Sequence, residues 1–239
     1  DINNAEFYSR YQFLETDTEG LVGFNLTFSD SAGNDGVEVA TTTNSSWVVF
    51  DKTPPSDFNT GNTISIGGNQ LSNVWNSTNT GADIFVPIVD NDTTIINGEI
   101  QIWGKVGTNL YDKVGDPFTI LESDAGTNKS LNIIETQVES ITGFLEGDSI
   151  YFKTVKIDKA GNEKEGSISN NKLFIDQTLP SINYVSYKSD FTDTTLATVG
   201  HEVALTLKTD ELIQAPVVTI AGQNATITDM GDGKWVATY

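Results

Sequence analysis

One pattern occurs twice in this chain and limits what it can fold into. Asp30-Ser31-Ala32-Gly33-Asn34 is followed about twenty residues later by Val48-Val49-Phe50 and then Asp51-Lys52-Thr53-Pro54-Pro55. Asp158-Lys159-Ala160-Gly161-Asn162 is followed at nearly the same distance by Leu173-Phe174-Ile175 and then Asp176-Gln177-Thr178-Leu179-Pro180. In general form this is a strand, D-x-A-G-N, a second strand of three apolar residues, and D-x-T-x-P. Copies about 125 residues apart indicate a tandem array.

The residue types suit a strand that turns back and then stops. The Asp carboxylate accepts from backbone N–H groups two residues on, and the Gly takes the left-handed conformation of a bulged hairpin. Proline cannot donate to a ladder, so D-x-T-x-P closes the last strand. Before the first turn, Val22, Phe24, Leu26 and Phe28 alternate with polar or small residues, which is period two with one face to bury. In the second copy Ile150 and Phe152 keep that phase, but Lys156 stands where Phe28 would. Tyr151, Val155 and Ile157 fall on the other phase, so a bulge or burial on both faces is expected there.

The rest of the chain reads as short strands between clusters of Gly, Asn, Asp and Thr, with almost no helical period. Residues 1–55 read as the C-terminal half of a domain, with strands at 8–14, 20–28 and 46–50. Residues 56–179 read as a complete unit, with strands at 63–66, 83–89, 98–105, 117–121, 130–134 and 149–157. Pro87 marks the second of these as an edge or bulged strand. Residues 180–239 read as the N-terminal half of another domain, with strands at 182–187 and 202–207, a hairpin over 217–228, and a last strand from 234. The fold class is therefore all-β, as tandem antiparallel β-sandwiches.

Composition narrows the function. The 33 acidic residues against 13 basic ones give a net charge of −20, which repels nucleic acid and anionic membrane surfaces. There is no cysteine, so disulfides and thiolate metal sites are excluded. The longest apolar run is too short to span a membrane as a helix, so direct membrane insertion is not expected. The first residues carry no charged-then-apolar signal design, and an export signal is expected to lie outside this segment.

At these residues the chain resembles the bacterial immunoglobulin-like repeats of very large secreted and surface-anchored proteins, including adhesins and S-layer-type proteins. The matching pieces are the two D-x-A-G-N turns, the linkers at Asp51 and Asp176, and the stretches at 200–207 and 217–223. The resemblance implies an extracellular or cell-surface stalk, spacer, fibre or surface-layer segment whose partners are neighbouring repeats, with a glycan or cell-surface receptor as a further partner. It also implies calcium at domain junctions. His201 departs from the family, which more often has a small acidic or polar residue there.

Calcium takes hard oxygen ligands, and the residues that turns and linkers would offer it are Asp30, Asn34, Asp51, Asp158, Asn162 and Asp176. The competing reading is that each Asp closes a turn and each Asn supports it, with no ion. Neither an EF-hand loop nor a nonapeptide calcium repeat is present. Asp90-Asn91-Asp92 is a weaker third candidate, more often a solvated turn. Catalysis has little to stand on. The single histidine, His201, has the phase of Val203 and Leu205 and reads as a part-buried structural residue. There is no Gly-x-Ser-x-Gly elbow, and carboxylates are too abundant for any pair to stand out.

A carbohydrate-binding module is the alternative, with Trp75, Trp103, Trp235, Tyr184 and Tyr187 as candidate platforms. Asn-x-Ser/Thr at Asn25, Asn44, Asn76, Asn91, Asn128 and Asn224 is close to what this composition gives by chance. Because 180–239 and 1–55 look like complementary halves, copies are also candidates to complete each other head to tail.

Overall fold

The alternation along residues 98–105 becomes the middle of a sheet. The computed structural model describes residues 7–89 and 95–239, so the Asp90-Asn91-Asp92 candidate lies outside the described residues. In chain order the strands are β1 (Gly20–Leu21), β2 (Val49–Phe50), β3 (Thr63–Ile66), β4 (Val74–Asn76), β5 (Gly81–Pro87), β6 (Glu99–Val106), β7 (Asp112–Thr119) and β8 (Asn128–Ile134). They continue as β9 (Ser149–Ile157), β10 (Glu163–Ile168), β11 (Leu173–Asp176), β12 (Ile182–Ser189), β13 (Val203–Thr209), β14 (Thr219–Ile220), β15 (Gln223–Asn224), β16 (Thr226–Asp229) and β17 (Lys234–Thr238). One five-residue helix, α1 (Glu135–Glu139), follows β8 and buries Val138. With 41% strand and 4% helix the protein is all-β.

The chain divides into two compact units, Asp1–Asp176 and Gln177–Tyr239. In the first, a sheet of order β4-β11-β9-β6-β7, with β10 also on β9, shares one core with the three-stranded sheet β3-β5-β8. Ile100 and Ile102 of β6 and Ile150 and Phe152 of β9 meet Ile84, Val86, Leu131 and Ile133 of the smaller sheet, all at most 1% exposed. Each such side chain contributes roughly 1.5–3 kcal/mol of hydrophobic stabilisation. Gln101, Trp103 and Lys105 point the other way, as their phase requires, although Gln101 is itself covered at 5% exposure.

Two readings of this core change. Among the described residues every strand pair is antiparallel except one, because β4 runs parallel to β11, with Trp75 beside Ile175 and Asn76 beside Asp176. Pro87 does not mark an edge: β5 lies between β3 and β8. The β3 pairing reaches only to Ile84, so a residue without an N–H is tolerated at the β5 end, where Pro87 pairs Asn128. β9 is buried on both faces near its end, one of the two expected outcomes there: Val155 is 8% exposed and the inward Lys156 is 1% exposed. Its ammonium donates to the Pro87 carbonyl at 2.7 Å and lies 4.1 Å from the centre of the Phe58 ring. The irregularity falls on the partner strand, between Glu165 and Ile168 of β10.

The N-terminal hairpin of the first unit is different in kind. Beyond the short β1–β2 pair it is held by bridges at Leu26↔Val39 and Ser29↔Asp35. Phe24, Leu26 and Phe28, expected to be inward, are 47–54% exposed, since no second sheet covers them among the described residues. The second unit is a single sheet, β12-β13-β17-β16, plus the β14–β15 hairpin. Leu207, Trp235 and Ala237 are buried on one face, while Val185 and Tyr187 of β12 remain more than half exposed.

Candidate functional site: the turn and linker joint

The two D-x-A-G-N turns close by the same bonds. In the second, Asp158 Oδ1 accepts from Ala160 N at 2.8 Å and Asn162 N at 2.9 Å, and Oδ2 accepts from Asn162 Nδ2 at 2.9 Å. In the first, Asp30 Oδ1 accepts from Ala32 N at 2.9 Å and Asn34 N at 2.8 Å, and Oδ2 from Asn34 Nδ2 at 2.8 Å. Gly33 and Gly161 have φ of 87° and 93°, with nothing near where a Cβ would stand, so glycine is there for its conformation and not for space. The Asn34 side chain and backbone N–H hold the Asp30 carboxyl below the ordinary carboxylate range.

What separates the copies is their surroundings. Asp30 is exposed and Asp158 is 4% exposed. Asn162 Nδ2 also donates to the Asp51 carbonyl at 3.3 Å. The linker of the first copy thus rests on the turn of the second, and a crevice lined by Val49, Asp51, Asn97, Glu122 and Lys159 opens beside it. From the hairpin side, Glu19 Oε1 accepts from Lys52 N at 2.7 Å and from Thr53 Oγ1 at 2.8 Å. The Lys52 backbone N–H, followed by the Thr53 hydroxyl, holds the Glu19 carboxyl down. Lys52 Nζ donates to the Asp17 carbonyl at 2.9 Å, and Thr53 N closes on Asp51 Oδ1 at 3.1 Å.

Past the linker the chain is fastened at once. Pro55 is buried, Phe58 packs on the core, and the Thr60 and Thr154 hydroxyls meet at 3.0 Å. Glu19 and Lys52 were not among the residues singled out by pattern. Their roles depend on a contact 33 residues apart, which no local spacing announces.

Of the six calcium candidates, the structure brings Asp51, Asp158 and Asn162 together at this joint. Asp30 and Asn34 share the other turn, and Asp176 ends β11 beside Asn76. Among the described residues no group of three or more His, Asp and Glu side chains converges as a metal cage. The Asp158 oxygens already accept three N–H bonds, which explains the Asp and Asn by turn closure.

The aromatic candidates separate cleanly. Trp75 is fully buried in the core with Nε1 donating to Glu139 Oε1 at 3.2 Å, and Trp235 is 9% exposed, so neither is a platform. Trp103 sits on the outer face of the large sheet, and Tyr184 and Tyr187 are more than half exposed. His201 precedes β13 rather than lying within it; Nδ1 is 2.9 Å from Asp190 Oδ1, and the ring meets Phe191 edge to face. No protein-family model matches the chain, and comparison with curated proteins finds no match.

Proposed function

We propose that the chain is a non-catalytic structural segment, part of an array of immunoglobulin-like sandwiches that extends, stiffens or paves a cell surface. The observation that carries this reading is the joint: the linker of one copy of the pattern is hydrogen-bonded to the turn of the next, 111 residues away. A proline-bearing connection held from both sides has few hinge conformations left. Limited trypsin digestion tests it at the Lys52–Thr53 bond. Cleavage in the intact chain is expected to be slow, and the Glu19→Ala/Asn162→Ala variant is expected to be cut roughly tenfold faster, as the open population rises. Equal rates in the two proteins would show that the joint is not rigid.

Calcium enters this proposal as a further stiffener of the joint, with Asp51, Asp158 and Asn162 supplying oxygen donors. Because the turns close on themselves, the ion is not needed for folding. The expected mark is a thermal midpoint about 2–4 °C higher in calcium than in chelator, the effect of about 1 kcal/mol of preferential binding on a unit of this size. Identical midpoints would leave the hydrogen bonds alone to hold it. Head-to-tail completion between copies belongs to the same reading, since the hairpin and the second unit each leave apolar residues uncovered. Light scattering should show mass rising with concentration, and a constant monomer mass would remove it.

A further inference from the structure

On the outer face of the large sheet, away from the joint, three aromatic rings and a set of lysines are interleaved across neighbouring strands. Trp103 on β6 lies opposite Lys113 on β7 and Lys153 on β9, and Lys105 on β6 lies opposite Tyr151 on β9. Tyr111 immediately precedes β7. Every ring has two ammonium groups near it. Lys153 and Lys105 stand 4.4 and 5.2 Å from the Tyr111 centroid, and Lys113 and Lys153 stand 5.4 and 6.0 Å from Trp103. Lys105 and Lys172 stand 5.5 and 5.7 Å from Tyr151.

Composition makes this placement unusual. Acidic residues outnumber basic ones 33 to 13, yet among the described residues only one ion pair is formed in this patch, Lys153 with Glu165 at 2.8 Å. Lys105, Lys113 and Lys172 have no ion pair among the described residues, so their positive field is local to this face. At physiological ionic strength, screening beyond roughly 8 Å lets that local field decide short-range contacts.

A second observation points to a ligand with acceptor oxygens. Trp103 Nε1 and Tyr111 OH are shielded from water and have no hydrogen-bond partner among the described residues. Unmade donors of this kind are uncommon and call for an explanation. Burial, and after it the Glu165 carboxylate, pushes the Tyr111 hydroxyl up, so it stays a donor at neutral pH. The second unit carries the same chemistry on its own sheet. Tyr184 of β12 stands on one rung with Lys208 of β13 and Lys234 of β17, with Lys188 further along the same face.

We infer that the Trp103 face is a binding surface for an anionic saccharide, a carboxylated or sulfated sugar chain. The lysine ammonium groups turn off the rings to pair with the acid groups, and this movement uncovers the Trp103, Tyr111 and Tyr151 faces for sugar rings and the two unpartnered donors for sugar oxygens. The inference is independent of the spacer reading, since this face takes no part in the joint.

The test is calorimetric titration of the full chain with three probes: an oligogalacturonate, a sulfated heparin tetrasaccharide and neutral cellotetraose. Saturable binding of either anionic probe, weakening as salt is raised and at least tenfold tighter than the neutral one, is the expected result. The Lys105→Ala/Lys113→Ala variant removes two cations that form no ion pair among the described residues, so it should keep the thermal midpoint while losing about tenfold in affinity. Absence of saturable binding, equal binding of cellotetraose, or unchanged affinity in the variant would each overturn the inference. In those cases the lysines serve only to cover the rings.

Discussion

Asp158→Ala is expected to destabilise the first unit by about 2–4 kcal/mol, a fall in thermal midpoint of about 5–15 °C. The carboxylate is 4% exposed and accepts from two backbone N–H groups and the Asn162 side chain. Alanine leaves those donors without a partner in a place water reaches poorly, and the loss of the acceptor is then felt in full. Asp158→Asn should recover much of the stability, because one oxygen can still take both backbone donors. Asp30→Ala removes the same three bonds at an exposed turn and should leave the unfolding transition of the sandwich where it was. Equal effects of Asp30→Ala and Asp158→Ala on that transition would show that the turn motif, and not its docking, sets the energy.

Trp75→Ala should cost about 3–5 kcal/mol, the range for emptying a large buried aromatic site, with a corresponding drop in the urea midpoint. Trp75 is fully buried, fixes the three-residue β4 to the core, and stands beside Ile175 in the parallel pair. Loss of the ring therefore removes both core volume and the anchor of a strand too short to hold by its own ladder. Trp103→Ala, on the outer face, should cost much less, since lysine stems rather than a second sheet cover that ring. Comparable losses at the two positions would contradict the assignment of one to the core and the other to the surface.

The parts of this fold legible in the sequence are those set by neighbours in the chain. The alternation of Ile100 and Ile102 against Trp103 and Lys105 states which way each points, and D-x-A-G-N states how the strand turns, because three of the bonds that close it lie within five residues. The β4–β11 pairing was not legible: β4 has three residues, too few to show a period, and its partner lies about a hundred residues away. For the same reason Trp75 carried no phase and was weighed as a platform. The apolar phase of Phe24, Leu26 and Phe28 identified a face that wants covering, but a phase does not supply the cover. Lys156 broke its pattern visibly. Only the fold could show that the Pro87 carbonyl and the Phe58 ring make an inward lysine tolerable. At the joint, the local motif explained Asp158 and Asn162 as turn residues, and the second bond of Asn162, to Asp51, was beyond its reach.

The parallel pairing of β4 with β11 bears on how tension would pass through the protein. β11 ends at Asp176 and is flanked by β4 on one side and β9 on the other. A pull on the chain beyond Asp176 runs along β11, across its ladders, and strains the bonds to both flanking strands together in shear. An edge strand at the same exit would peel away one bond at a time. Under load the protein would then yield at its exposed N-terminal hairpin long before its two packed sheets part.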